Sequence, residues 1–508
     1  MNILDRAIEF FAPRAGLRRA EARFVLDQVR SYESARIGRR TEGWQASKGS
    51  ANSLIKGKLP LIRARSRELV RNTWWGPRIV SVFTAHAVGT GPTPVSKTGN
   101  RTLDRKAAKL WREWGKTCDA EGQLDINGLL ALACRTTIES GEVLARKILT
   151  PLDGTRKVPL EIMLLEPDHL DGSRDRADAE VVIDQGIEYG RNGKRTAYWL
   201  LPEHPGSQIV RSRAASQRIA ASDILHLYRK DRVGQGRGVP WLSPVALKGR
   251  DLADLEDAII VKAKVEACFA AYVKTNDPAR TIGQAHTEQR GGGKNRRIER
   301  LSPAMVTYLE QGEEMGSVNP SSSLAFDAVL INTWMALAAG AGLTYDQLTG
   351  DLRQANYSSL RAGKIEFRRL VEQFQWLTLV PMLLDPLWQA FTEAAQDWGA
   401  LPRRAGGYPV EWIMPAVEPI DPLKDLQADI LAVRAGRMTW PQFVAAWGFE
   451  PEEQLDEIER WQKDIDKRGI VLDADPRRAL KGVKGAPQDD VSEPGSSTSK
   501  DPPDEQAD

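Results

Sequence analysis

The stretch ILHLYRKDRVGQGRGVPWLSPVAL (Ile224–Leu247) combines an apolar strand, a glycine-rich turn and the start of a helix. Nucleotide-phosphate loops have the same order of elements. However, Gly234, Gly236 and Gly238 are spaced GxGxG rather than GxGxxG, and five residues separate the last of them from the predicted helix start at Pro244. No Lys-Ser/Thr pair closes the loop, and its N–H groups would stand away from the helix end. The pattern therefore argues against a bound nucleotide.

The same glycines fit a tight corner between a sheet and a long helix, because glycine accepts backbone conformations that other residues avoid. We predict that Gly234, Gly236, Gly238 and Pro240 form this corner and that Trp241 fills it. Their predicted role is structural.

Outward from this stretch, the sequence predicts an α+β fold. Residues 143–228 contain short β-rich runs separated by Gly, Asp and Pro, and GRNGKR is typical of a hairpin turn. Downstream, Ser243 can cap a helix that begins at Pro244. A second long helix is expected to end at Gly340 and Gly342, and a third to begin near Tyr357.

Composition and charge indicate an ordinary soluble globular protein with a charged tail. The chain has 508 residues, of which 41% are hydrophobic and 27% charged, and no apolar run reaches the roughly 20 residues of a membrane span. Residues 485–508 hold seven acids and one lysine; since the whole chain carries +3, the remainder carries +9. A basic body of this kind could meet nucleic acid, although many soluble proteins are equally basic.

Candidate catalytic and metal sites are weak. Glu166, Asp168, His169 and Asp171 in LEPDHLDG could bind a metal, but a strand that ends in an acidic turn has the same sequence. Three cysteines far apart indicate neither a disulfide scaffold nor a zinc site. We therefore predict no catalytic residue, no metal, no cofactor and no enzymatic activity.

Seven segments in order along residues 63–361 resemble the portal proteins of tailed bacteriophages, of the lambda type. They are RARSRELVRNTWW with the following VGTGPTP, ESGEVLAR, LLEPDHLD, GIEYGRNGKRTAYWLLPEHPG, RVGQGRGVPWL, LSPAMVTYLEQGEE and LTGDLRQANYSSLR. No single segment identifies the family, but the occurrence of all seven in this order does. The N-terminal arm and the acidic tail carry no such match.

The resemblance implies the portal fold, with a β-rich wing, a helical stem, a small clip insertion and a helical crown, assembled as a ring of twelve subunits. On this plan the chain divides into an N-terminal arm (1–59), wing (60–240), first stem helix (241–275), clip (276–323), second stem helix (324–340), tunnel loop (341–356), long helix returning to the wing (357–418), crown (419–470) and disordered acidic tail (471–508).

The resemblance also implies sites. Residues of the tunnel loop are expected to contact DNA in the channel: Leu343, Gln347, Arg353, Gln354 and Asn356. The bases of the clip are expected to dock the packaging motor: Lys294, Arg296 and Arg297. An ordinary interhelical loop and a solvated loop without a partner are the respective alternatives.

Four acids in the first half of the first stem helix could line the channel, because a wall of bases would hold the DNA polyanion too tightly for transport. They are Asp251, Asp254, Glu256 and Asp257. A solvated helix face explains them equally well.

The implied function is a homo-oligomeric channel at one capsid vertex of the virion, through which DNA is packaged and ejected. Expected partners are double-stranded DNA without sequence specificity, the terminase large subunit, head-completion and tail connector proteins, and the major capsid and scaffold proteins, with assembly in the host cytoplasm and no membrane. Two alternatives remain at this point: a metal-dependent phage nuclease that uses the acids around Asp168, and a structural scaffold without a channel.

Overall fold

A computed structural model describes residues 47–151, 154, 156–178, 180–208, 215–268, 272–275, 313–316, 324–353, 357–472 and 475. The described residues fall into two compact units. One runs to Pro92 and from Ser96 to Glu411, and the other comprises Thr93–Val95 and the residues from Trp412 onward.

Helices dominate the N-terminal part of the larger unit. The helices are α1 (Ala51–Ile55), α2 (Leu59–Asn72), α3 (Trp75–Ala87), α4 (Arg101–Gly115) and α5 (Ile126–Ser140); β1 (Thr93–Ser96) comes between α3 and α4 in the sequence, and its first three residues belong to the smaller unit. Asp125 caps α5, since its Oδ1 accepts from the N–H of Gly128 at 2.7 Å. The helix stops at Gly141, whose φ of 92° few other residues adopt.

Two antiparallel sheets follow, in the region that the sequence predicted to be β-rich. Their strands are β2 (Glu142–Leu149), β3 (Leu160–Leu165), β4 (Arg176–Ala177), β5 (Val181–Asp184), β6 (Ile187–Gly190), β7 (Arg195–Leu200), β8 (Gln217–Ala220) and β9 (Ile224–Tyr228). The sheet orders are β3-β2-β9 and β4-β5-β6-β7-β8. The predicted GRNGKR hairpin is confirmed between β6 and β7.

An apolar core joins the two sheets. Buried side chains from both sheets form it, among them Leu144, Ile187, Tyr198, Leu200 and Ile224. Every residue of β9 is buried, so this strand is covered on both faces. The core thereby fixes β9 immediately before the glycine-rich turn.

The rest of the larger unit is mainly helical. It contains α6 (Ala246–Cys268), β10 (Tyr272–Thr275), β11 (Glu313–Gly316), α7 (Leu324–Ala341), α8 (Tyr345–Thr349) and α9 (Tyr357–Phe374). A π-helical stretch, Gln375–Leu384, then leads into α10 (Asp385–Asp397). Pro381 lies inside this stretch and lacks the N–H of a regular helix, which agrees with the departure from α geometry.

The predicted limits of the first long helix are wrong at both ends. Ser243 does not cap it: its Oγ donates to the carbonyl of Pro240 at 2.6 Å, and the chain turns until the helix begins at Ala246. At the other end the helix stops by Cys268, and Tyr272–Thr275 pairs as a strand with Glu313–Gly316.

Two predictions about the next connection also need correction. Gly340 does not end the second long helix, which continues to Ala341; the break is Gly342, with φ of 78°. The segment that follows is not loop throughout, because it contains α8, which Thr344 and Gln347 start with a reciprocal capping box.

The smaller unit consists largely of three helices. Here β12 (Val410–Ile413) pairs with β1, and α11 (Pro422–Arg434), α12 (Trp440–Ala446) and α13 (Pro451–Arg468) follow. None of the residues of α11 is buried, and α12 and α13 bury only Val444 and Ile465. These helices thus leave most of their apolar side chains exposed.

Among the described residues, no helix has both the length and the apolar character needed to cross a membrane.

Candidate functional site

The glycine-rich turn lies against the end of α5, where two backbones touch. A Cβ on Gly238 would lie 2.1 Å from the carbonyl oxygen of Gly141, so only glycine fits there. The N–H of Gly236 donates to Oδ1 of Asn52, and that of Gly238 donates to Oε2 of Glu142, both at 2.8 Å. These N–H groups serve acceptors of the protein itself, rather than a phosphate.

Trp241 packs beside this turn. Its ring is buried and stands edge-on to Phe83 and to Phe374, with centroid distances of 5.1 Å in each case. Pro240 precedes it in a buried turn, and Gly234 opens the loop with φ of 79°. The aromatic contacts connect the loop after β9 to helices α3 and α9.

A buried cluster of charges underlies the turn. The Glu142 carboxylate accepts from Nη2 of Arg63 at 3.1 Å, from Nη2 of Arg237 at 2.6 Å and from Nε2 of His226 at 3.0 Å. The side chains of all four are at most 4% exposed. Because breaking a buried ion pair leaves an uncompensated charge, each member depends on the others.

Hydrogen bonds and burial fix the charge states in this cluster. Burial by itself would raise the pKa of Glu142, but Arg237 and His226 outweigh it and hold that pKa below its ordinary value. Burial lowers the pKa of His226 to about 4, so its imidazole is neutral near pH 7. Its partners assign the tautomer: Nε2–H donates to Glu142, and Nδ1 accepts from Nη1 of Arg195.

The cluster unites several of the quoted sequence segments. Arg63 comes from RARSRELVRNTWW, Glu142 from ESGEVLAR, Asp168 from LLEPDHLD, Arg195 from GRNGKRTAYW and Arg237 from RVGQGRGVPWL. This convergence is not predictable from any one of these segments. The available signals were a glutamate at the start of an apolar strand and a histidine inside the apolar run ILHLY.

The acidic segment LEPDHLDG does not assemble as a metal site of its own four residues. Glu166 and Asp168 lie near His204 instead, with ligand atoms within 4.8 Å of one another. Nη2 of Arg67 lies 2.8 Å from Glu166 and 2.7 Å from Asp168. A second guanidinium, from Arg63, lies 3.0 Å from Asp168. Arginines therefore supply the positive charge that a metal ion would bring.

The other two members of the segment serve local structure. Asp171 accepts from the hydroxyls of Ser173 and Ser216, both at 2.6 Å. Nδ1 of His169 lies 3.1 Å from the carbonyl of Leu201. These contacts agree with the turn interpretation.

The segment after α7 is held in place by burial and by hydrogen bonds within the subunit. Leu343 is buried, and Oε1 of Gln347 accepts from the N–H of Thr344 at 3.1 Å. Nε of Arg78 donates to the Gln347 carbonyl at 2.8 Å, which fastens α8 to α3. Arg353 is exposed, but its guanidinium pairs with Asp351.

Five of the predicted contact residues lie outside the described residues. They are Gln354 and Asn356 of the tunnel loop and Lys294, Arg296 and Arg297 of the clip.

The four acids in the first half of α6 have different environments. Glu256 accepts from Nε1 of Trp74 at 3.1 Å and from Nε1 of Trp334 at 3.0 Å, so it joins α6 to α7 and to the start of α3. Asp251, Asp254 and Asp257 are exposed. Only these three are free to face a passage or solvent.

Comparisons with known proteins agree on one family. The sequence model of the lambda family of phage portal proteins matches residues 37–375. A probable portal protein of Halomonas phage phiHAP-1 is 23% identical over 475 residues, which cover 87% of this chain and 88% of that protein. Portal protein B of Escherichia phage lambda is 20% identical over 472 residues, covering 82% and 86% of the two chains.

Solved structures give weaker similarities. A chain from the virion of a native gene transfer agent particle aligns with a TM-score of 0.44 at 15% identity, covering 77% of this chain and 94% of that one. A portal protein of the HK97 family from Corynebacterium diphtheriae aligns with a TM-score of 0.28 at 11% identity, covering 76% and 99%.

Proposed function

This chain belongs to the lambda family of phage portal proteins, and on that basis we propose that it forms the dodecameric channel at one capsid vertex. DNA is packaged and later ejected through this channel. The family match over residues 37–375 carries the proposal. In the same scheme the larger unit supplies wing and stem, and the helices of the smaller unit supply the crown.

The exposed apolar side chains support assembly into a ring. Val261 on α6 and Met335 on α7 are 57% and 48% exposed, and Leu423 and Leu431 on α11 are 66% and 60% exposed. A closed ring built head-to-tail needs two different complementary faces on each subunit. Apolar surface on separate helices provides candidates for both.

The acids of α6 support passage of DNA. A channel must admit a polyanion without gripping it, and every phosphate contact by a base adds salt-dependent affinity. Asp251, Asp254 and Asp257 are exposed on one helix, so a ring would repeat these negative charges around its axis. The segment from Gly342 to Arg353 would then form the narrow collar.

The partners follow from the same scheme. The clip bases Lys294, Arg296 and Arg297 would dock the terminase large subunit, and head-completion and tail connector proteins would later take that place. Capsid and scaffold proteins would contact the outside of the ring during assembly in the host cytoplasm. The chain has no catalytic role in this proposal, because the separate terminase drives packaging.

Negative-stain electron microscopy of the purified chain tests the proposal. A ring with a central hole and twelvefold symmetry is expected; monomers or open filaments across a range of salt would contradict it. Val261→Gln should hinder ring formation, whereas Lys264→Gln on the same helix should not. Magnesium-dependent cleavage of DNA by the purified chain would favour the nuclease instead.

A further inference from the structure

A pocket lies beside the glycine-rich turn. It has a volume of about 520 Å³, and its wall includes Asn52, Tyr189, Arg195, Tyr228 and Lys230. All of these belong to the larger unit. The size is that of a site for a small ligand or a single side chain.

Arg195 is the central group of this pocket. Its Nη1 donates to Oη of Tyr198 and lies 2.9 Å from Nδ1 of His226, while its Nη2 donates to Oη of Tyr228 at 2.7 Å and to the carbonyl of Gly236 at 2.9 Å. Every one of these acceptors is neutral. The guanidinium is held rigidly, yet no carboxylate in the described part of the chain pairs with it.

The neighbouring charges balance without Arg195. Three arginines meet three carboxylates there: Arg63, Arg67 and Arg237 with Glu142, Glu166 and Asp168. Arg195 connects to this set only through the neutral His226. Since charges removed from water are normally paired, Arg195 differs from these arginines in having only neutral partners within the described chain.

The pocket also presents donors for an anion. The Tyr189 hydroxyl interacts with the Arg195 guanidinium, which can only donate, so the hydroxyl hydrogen remains available, and Lys230 forms no ion pair within the described chain. Asp184 on the same wall is engaged, since its Oδ2 accepts from Nδ2 of Asn52 at 2.7 Å. Arg195 and Lys230 each carry a positive charge and Asp184 carries a negative one, so these three lining residues give the pocket a net charge of +1.

We infer that this pocket binds the carboxylate of an aspartate or glutamate side chain from another protein chain. Arg195 would attract the carboxylate by charge, because its Nη hydrogens are already used, and Tyr189 and Lys230 would donate the hydrogen bonds. The tyrosine rings would pack on the methylene groups of the incoming side chain. Duplex DNA is a less suitable ligand, because the double helix is too wide to bring its backbone phosphates into a pocket of this volume.

Ligand-observed NMR on the full chain tests the inference, under conditions where light scattering shows single subunits. The probe is N-acetyl-glutamate N-methylamide, with N-acetyl-glutamine N-methylamide and inorganic phosphate as the comparison ligands. The glutamate probe should bind, and the glutamine probe should not. Tyr189→Phe and Lys230→Gln should each raise the dissociation constant about tenfold, the loss expected for one hydrogen bond to a charged group.

The control is Arg191→Gln, at the exposed tip of the same hairpin, where Arg191 pairs with Glu180. It should leave binding unchanged, while Arg195→Gln, checked for folding by circular dichroism, should abolish it. The inference is overturned if the two amino-acid probes bind alike, if neither binds, if no variant differs from wild type, or if only phosphate binds. Because single subunits suffice, the result does not depend on whether the proposed ring forms.

Discussion

The Arg353 guanidinium forms a bidentate ion pair with the Asp351 carboxylate: Nε donates to Oδ1 and Nη2 donates to Oδ2, each at 2.9 Å. The hydrogen bonds from Arg353 hold the pKa of Asp351 well below its ordinary range, so the pair stays ionised. Arg353 is one of the tunnel-loop residues expected to contact DNA. In the structure its charge is largely cancelled within the same subunit.

Removing the carboxylate should therefore alter how the proposed channel holds DNA. Asp351→Asn would free the Arg353 charge in every subunit, and DNA passage should slow with a defect that weakens as salt is raised. Packaging assays at several salt concentrations measure this. Asp346→Asn removes a neighbouring acid that has no such partner role and is the control; equal behaviour of the two variants would contradict the prediction.

Glu256 should stabilise the helices that it joins. In Glu256→Ala the indole N–H groups of Trp74 and Trp334 lose their acceptor, so the free energy of unfolding should fall by roughly 1–2 kcal/mol. Denaturant titration measures the loss. Asp257→Ala, at the adjacent exposed position, should change stability little, and an equal loss there would show that the indole contacts are unimportant.

Two glycines of the same turn should respond differently to alanine. In Gly238→Ala the new Cβ would meet the backbone of Gly141, and stability should fall by about 3 kcal/mol or more. Gly234→Ala meets no atom within 4 Å, so only its φ of 79° opposes the change, at roughly 1 kcal/mol. Thermal unfolding of both variants checks the order, and a reversed order would refute the close approach at Gly238.

His226 should make stability depend on pH. The unfolded chain binds a proton near the ordinary pKa of 6.5, whereas the folded chain binds it only near about 4. Stability should therefore be complete above pH 6.5 and fall as the pH drops from 6.5 to 4, with a slope of up to about 1.4 kcal/mol per pH unit.

His226→Gln removes the imidazole that binds this proton. The free energy of unfolding should then depend less steeply on pH between 6.5 and 4, as measured by denaturant titration at several pH values. Glu142 contributes separately, because its lowered pKa makes its share of stability disappear only below its ordinary value of 4.5. An unchanged slope between pH 6.5 and 5 in the variant would contradict the role of His226.

The sequence determined the features that repeat locally. Alternation and turn residues were enough to predict a β-rich region over residues 143–228 and the hairpin at Gly190, though not every strand of that region, because strand pairing across a short turn depends on nearby residues. The order of motifs gave the family, which the match over residues 37–375 confirmed. Helix ends were less predictable, since the Ser243 hydroxyl donates to the carbonyl of Pro240 instead of accepting from the N–H groups of the helix that follows.

Only the tertiary structure decided which charged residues meet. Arg63, Glu142 and Arg237 are dozens of residues apart in the sequence, and nothing local in it states that they share one buried cluster. Likewise, Glu256 has the sequence of a solvated helix face, but it accepts hydrogen bonds from the indoles of Trp74, just before α3, and Trp334 in α7. Burial makes such partners obligatory, while the folded topology selects them from distant segments.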